Sequence, residues 1–302
     1  MLNVYVPFYN SIFCAEYQIK TLKTFLLDEY QLVFIDNNMG RHPENSEKLT
    51  TLCGEHGIPL IVNTDEMCEA FQTGIETGAM SASLKHGWTL NLIWQHVKHT
   101  KPEYFGFLDQ DCFLFKPTSM VELVGSNNAY GKVVPTHPSK SHTSNDGSLL
   151  WNLHVVSNFY KTSFLIEKDL GPNSPINFMP GAWGEKFGQD GVSLDTGGMN
   201  WVSVWQHENP CDFALKEDHY YYYDDLSLLD PDKAHPTRVL YEVHDDRWVH
   251  MVHGANSSSS SDYLQPKTSY IKGFLDSALL AYGSPFHKST NFRSHWDPRG
   301  EE

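Results

Sequence analysis

Asp109 and Asp111, separated by Gln110, close the apolar segment Tyr104–Leu108 and precede a second apolar run, Cys112–Phe115, that ends at Pro117. Successive residues of an extended chain point to opposite faces, so carboxylates two positions apart share one face. Two like charges at the end of an apolar strand repel unless a cation sits between or beside them. Hard oxygen donors suit Mg²⁺ or Mn²⁺, ions that also take the phosphates of a substrate. The pair therefore predicts a divalent ion holding a phosphorylated substrate at the carboxyl end of a strand. The alternative is an Asp-rich turn with no ligand.

The surrounding elements predict such an edge. Leu2, Val4 and Val6 alternate with Asn3 and Tyr5 as a short strand stopped by Pro7. Ala15, Ile19, Leu22 and Leu26 follow at helical spacing, and Leu32–Ile35 reads as a strand buried on both faces, ending in Asp36-Asn37-Asn38. Strand, helix, strand in this order is a βαβ unit and favours a parallel sheet with right-handed crossover. A helix around Glu44–Cys53 and a strand Leu60–Val62 repeat the pattern. A further helix spans 84–97, with Leu84, Trp88 and Leu92 on one stripe and Ile93 and Val97 beside it. Polar residues gather where each strand ends: Tyr9/Asn10, Asp36/Asn38, Asp65 and Asp109/Asp111. Open α/β sheets bind ligands at that edge.

Beyond Pro117 the pattern loosens. Strands are predicted at 130–134, 151–156 and 247–253, a long Gly/Pro/Asn-rich loop or lid at 171–198, a helix-like stretch through Trp205, and an amphipathic C-terminal helix marked by Ile271, Phe274, Leu275, Ala278, Leu279 and Tyr282. No linker divides the 302 residues, which read as a single domain with a binding half at 1–120, a second half at 121–265 and a helix and tail at 266–302.

Lys and Arg number 22 against 37 Asp and Glu, a formal charge of −15 that argues against nucleic-acid and anionic-lipid partners. The five cysteines, an odd and scattered set without a CxxC pair, fit a reducing compartment. The N-terminus has no basic region before its apolar residues, and no apolar run approaches the ~18–20 residues of a membrane span. These features predict a soluble, cytoplasmic protein with no transmembrane segment.

In sequence and spacing, Val4-Tyr5-Val6-Pro7-Phe8-Tyr9-Asn10, the helix-to-strand passage from Phe25 to Asn38, and Lys85–Asn91 followed by Phe107–Asp111 resemble the GT-A nucleotide-sugar glycosyltransferases, in particular the family-2-like branch. The likeness covers residues 1–120 well and the remainder in scattered motifs. It implies a Rossmann-like α/β fold with a mixed, mostly parallel sheet, and metal-dependent transfer of a sugar from a nucleoside-diphosphate sugar to a carbohydrate or other glycoconjugate hydroxyl. By the same resemblance Pro7 and Tyr9 border the base, and Asp36, with Asn38 beside it, bonds the base or ribose. His86, Asn91 and Gln110 lie by the donor sugar or diphosphate, and Asp109 and Asp111 hold Mn²⁺ or Mg²⁺. A third ligand is expected from a C-terminal histidine, His253 first and His250 second.

An inverting member needs a base for the acceptor hydroxyl. Asp218 in Lys216-Glu217-Asp218-His219 is the choice, with Glu217, Asp190 and Asp195 as rivals; the bland reading of Glu217 and Asp218 is a solvated turn. Asp195, Gly197 and Gly198 resemble the turn where backbone approaches the sugars, and Trp183, Trp201 and Trp205 either stack on sugars or fill the core. The Arg-Asn signature of the branch is absent, as is a Gln-x-x-Arg-Trp motif, which argues against a processive polysaccharide synthase. Three competing readings stand: a sugar-nucleotide pyrophosphorylase, although Pro7–Ser11 holds no Lys or Arg; a metallohydrolase built on His244, Asp245, Asp246, His250 and His253; and a non-catalytic carbohydrate-binding protein.

Overall fold

A computed structural model describes residues 1–38, 42–62, 82–135, 151–171, 175–179, 181–183, 192–194, 196–198, 200–209, 218–222, 239–251 and 261–282. The first half runs β1 (Leu2–Phe8), α1 (Ile12–Phe25), β2 (Tyr30–Asp36), α2 (Pro43–His56), β3 (Leu60–Val62), α3 (Ala82–Thr100), β4 (Tyr104–Leu108) and β5 (Cys112–Leu114). It continues through α4 (Met120–Val124), β6 (Ala129–Tyr130), β7 (Val133–Pro135), β8 (Trp151–Leu153), β9 (Ser157–Lys161) and α5 (Thr162–Asp169). Then come β10 (Gly181–Trp183), β11 (Val192–Leu194), a π-helical turn Trp201–Trp205, β12 (Asp218–Tyr222), β13 (Val239–His244), β14 (Trp248–His250) and α6 (Ser261–Ala281).

The central sheet has the order β3-β2-β1-β4-β9-β6. β3, β2, β1 and β4 are parallel; β9 adds antiparallel to β4, and β6 antiparallel to β9. The chain builds outward from β1 through β2 to β3 and then returns to the other side of β1 as β4. That reversal leaves a crevice at the carboxyl ends of β1 and β4, the switch point where such sheets bind ligands.

Helices cover both faces. Leu2, Val4, Val6, Phe8 and Phe34 share one core with residues of α1, β5, β14 and α6. Tyr5, Val33, Ile35, Phe105 and Phe107 share the other with α3 and the π-helical turn. The polar face expected of β1 is therefore buried too, with Asn3 donating to the Tyr5 hydroxyl at 3.2 Å. Nor does Pro7 stop the strand. It pairs in register with Ile35, whereas the ladder to β4 ends at Tyr5, so on that side its missing N–H breaks no bond. The buried face of α3 is Leu90, Ile93, Trp94 and Val97, with Leu84, Trp88 and Leu92 only half-buried beside it.

Two features depart from the sequence reading. Of the predicted strand 151–156 only Trp151–Leu153 forms one, β8, which pairs with β7, and the unexpected β9 follows it and enters the central sheet. Ser157 and Asn158 hid β9, since both are polar yet 2% and 0% exposed. The supposed loop 171–198 contains the antiparallel pair β10 and β11. A second sheet, β12-β13-β14-β5, is antiparallel throughout. Its β5 begins directly after Asp111, so the two-carboxylate segment is where the chain leaves the first sheet for the second.

Candidate functional site

Asp109, Gln110 and Asp111 form a turn rather than a strand continuation: the Cys112 N–H donates to the Asp109 carbonyl at 3.0 Å. Their carboxylates converge because the backbone reverses there, and strand alternation is not the cause. Backbone bonds pin the turn on both sides, from Asp109 N–H to the Val156 carbonyl and from Met251 N–H to the Asp111 carbonyl, each 2.8 Å. From below, Gln18 on α1, fully buried, donates through Nε2 to the carbonyls of Asp109 at 2.8 Å and Cys112 at 2.5 Å. Gln110 is 3% exposed and makes a reciprocal pair with the Tyr9 backbone, accepting from its N–H and donating to its carbonyl at 2.8 Å each. The turn and the end of β1 are thus one unit.

Antiparallel register brings in the third member. His250 sits opposite Cys112 in the β14–β5 ladder, one residue from Asp111. Its Nε2 lies 3.5 Å from Asp111 Oδ1. One ligand atom from each of Asp109, Asp111 and His250 lies within 4.8 Å of the others, a candidate site for a metal ion. His86 approaches from α3, with Nε2 3.1 Å from Asp109 Oδ1. Burial pushes the thiol of Cys14 up, and the charge of Asp111 adds to the effect.

At the end of β2, Asp36 is 4% exposed and accepts from the Asn38 N–H at 3.0 Å. Asn38 accepts from the Asn10 N–H and donates to Ser46, both at 3.0 Å, and Asn45 donates to the Asn10 side chain at 2.5 Å. Asn10 holds a φ of +58°, a left-handed conformation that Asn tolerates better than most residues. This network fastens the β1–α1 loop to α2. Tyr9 remains half-exposed, its ring edge-on to His42 at 5.5 Å, while Pro7 is buried in β1. Cys53 is pushed up to about 11, by burial first and then by Asp36.

Asn91 stands further along α3. Its Oδ1 accepts from the Phe178 N–H and its Nδ2 donates to the Asn177 side chain, both at 2.8 Å. The Gly197 N–H donates to the Phe178 carbonyl at 3.0 Å, and Gly197 adopts a φ of +83° against Val155. Asn91 therefore braces the glycine turn, whose support at Val155 adjoins the residue receiving the Asp109 N–H. Thr196, Gly197 and Gly198 are all buried. Trp201 and Trp205 belong to the core, with Trp205 5.1 Å from Trp151.

Of the histidine-aspartate cluster in the metallohydrolase reading, His244 lies edge-on to His250 at 6.0 Å, and the two aspartates have other partners. Asp245 accepts from Tyr130 at 3.0 Å and pairs with Arg247, and Asp246 pairs with Lys116, while His250 joins Asp109 and Asp111. Asp218 opens β12 opposite His244, in a strand where the sequence suggested a turn. Its side chain and that of Trp183 lie outside the described residues, as do Asp65, Asp190, Asp195, Glu217 and His253. Gln18, His42 and Asn45 were not singled out on sequence.

No family model matches the chain, and no curated protein matches it. Among solved structures it is similar to TarS of S. aureus, at 16% identity over 59% of this chain and 30% of TarS, with a TM-score of 0.32. It is also similar to an active-site mutant of LgtC, at 12% identity over 54% of this chain and 58% of that one, with a TM-score of 0.37. A third is a glycosyltransferase involved in the glycosylation of the major capsid of PBCV-1, at 11% identity over 90% and 98% of the two chains, with a TM-score of 0.30. The chain thus spans less than two thirds of the first two. Likeness at these scores adds no weight to what the site itself supports. Among the described residues no helix is long and apolar enough to cross a membrane.

Proposed function

We propose that the protein is a metal-dependent glycosyltransferase of GT-A type, moving a sugar from a nucleoside-diphosphate donor to a carbohydrate hydroxyl. The observation that carries this reading is the convergence of Asp109, Asp111 and His250 at the carboxyl ends of β4 and β1. Two carboxylates and one imidazole fit a divalent ion, and the imidazole favours Mn²⁺ over the oxygen-seeking Mg²⁺. When bound, such an ion supplies a Lewis acid that offsets charge on the departing diphosphate.

The chain's own residues fit the remaining roles. Tyr9 and His42 offer half-exposed rings beside the crevice for a base, and Asp36 ends the neighbouring strand. Gln110 ties that side to the metal turn, a support for the donor site rather than a direct contact. Gly197 and Gly198 are buried, Gly197 against Val155, and their proposed part is to shape the acceptor side of the crevice. Asp218 is the proposed base for an inverting reaction, with Glu217 as its neighbour in the motif. In the β12–β13–β14 ladder it stands opposite His244, which shares its hairpin with His250. We read residues 1–302 as one such domain similar to the family-2-like branch, with the cytoplasm as its location.

A thermal-shift screen of UDP, GDP, dTDP and CMP, each with and without Mn²⁺, tests this. A native-state ligand at 100 times its Kd stabilises by about 2.7 kcal/mol. Metal-dependent stabilisation by one nucleoside diphosphate, absent in Asp111→Asn, is the expected result. No shift with any nucleotide would refute the transferase reading.

A further inference from the structure

Resting on the metal site just described, a second histidine has a different task. We propose that His86 is a positioning residue, holding the Asp109 carboxylate in the orientation that serves the ion.

Both histidines of the site lie beside a carboxylate, His86 at 3.1 Å from Asp109 and His250 at 3.5 Å from Asp111. They differ in geometry. His250 belongs to the group of ligand atoms lying within 4.8 Å of one another, and His86 does not. His86 Nε2 lies 3.1 Å from Oδ1 of Asp109, an ion-pair contact that leaves the second oxygen for the ion. Ligating carboxylates are commonly oriented by a partner outside the ligand set.

The need for a holder differs between the carboxylates. Asp111 has 6% of its side chain exposed and is enclosed, whereas Asp109 has 22% and can rotate toward water. The position of His86 is rigid, because α3 is locked to the sheet by Leu90, Ile93, Trp94 and Val97, all fully buried. The same helix braces residues 177 and 178 through Asn91. One rigid element therefore sets both the carboxylate and the segment supporting the glycine turn.

Mn²⁺ titration followed by electron paramagnetic resonance, without nucleotide, tests the proposal on wild type, His86→Ala, His86→Gln and Asp111→Asn, with the metal-free Tm measured alongside. His86→Ala is expected to weaken Mn²⁺ binding by about 10–100-fold at unchanged metal-free Tm. His86→Gln, which keeps a polar nitrogen near the same carboxylate oxygen, is expected to recover most of that loss. Wild-type affinity in His86→Ala overturns the proposal, and so does a His86→Gln protein no better than His86→Ala, which would make the imidazole itself a ligand. Wild type that takes up no Mn²⁺, or Asp111→Asn binding as tightly as wild type, instead refutes the metal site on which the proposal rests.

Discussion

Gln18 carries no charge and sits on a helix chosen for its apolar stripe, yet its amide is the support under the metal turn. Replacing it with Leu takes the side-chain donor from the Cys112 carbonyl and one of two donors from the Asp109 carbonyl, and a buried group left unsatisfied costs about 1–3 kcal/mol. The expected outcome for Gln18→Leu is a lower urea midpoint together with weaker Mn²⁺ binding, because the turn of Asp109 to Cys112 loses the amide that holds both its ends. Normal Mn²⁺ affinity in a destabilised Gln18→Leu would show that the carboxylates keep their geometry without the clamp. Asp109 and Asp111 were legible because charge at the end of an apolar run has few explanations. Gln18 was not, since a neutral amide within a helix looks the same whether it meets water or a buried carbonyl.

At the scale of elements, β4 is held between β1 and β9, and its contact with β9 depends on Gly106. The register sets Gly106 opposite Phe159, and a Cβ there would overlap the Phe159 ring. Gly106→Ala is expected to destabilise by about 1–3 kcal/mol, the usual range for overpacking a core. The added substitution Phe159→Leu should recover part of this loss in a double-mutant cycle of urea melts, since residues in contact are coupled. Additive effects would place the strain elsewhere. The parallel strands were readable because continuous apolar runs followed by polar residues signal a strand covered on both faces. β9 was not, because its Ser157 and Asn158 are buried through its place in the sheet rather than through their own character.

For the whole molecule, the C-terminal helix closes over the first one. Tyr17 on α1 donates to Asp276 on α6 at 2.6 Å, and Ile271, Leu275 and Ala278 enter the core shared with α1. Burial, then the bond and charge of Asp276, raise the Tyr17 hydroxyl above its ordinary range. A folded-state pKa above the unfolded one means the contribution is fully present below about pH 10 and is lost as pH rises beyond it. Tyr17→Phe should therefore lower Tm at pH 7, by about 1 kcal/mol of stability for one bond with an exposed partner. The gap to wild type should narrow above pH 10; a gap that persists there would assign the effect to packing.

The order of strands and helices in the first half, the edge that carries the polar residues, and the two carboxylates were all present in the sequence. Local periodicity and the rarity of charge after an apolar run are properties of neighbouring residues. Which histidine joins Asp109 and Asp111 was not a local matter. His250 reaches them through the β14–β5 ladder, a pairing of segments more than a hundred residues apart, and His86 reaches Asp109 because α3 packs on the far core. Among 16 histidines the resemblance put His253 first and His250 second, and nothing in the neighbouring residues separates the two. Register and helix docking decide it, since only they convert distance along the chain into distance in space.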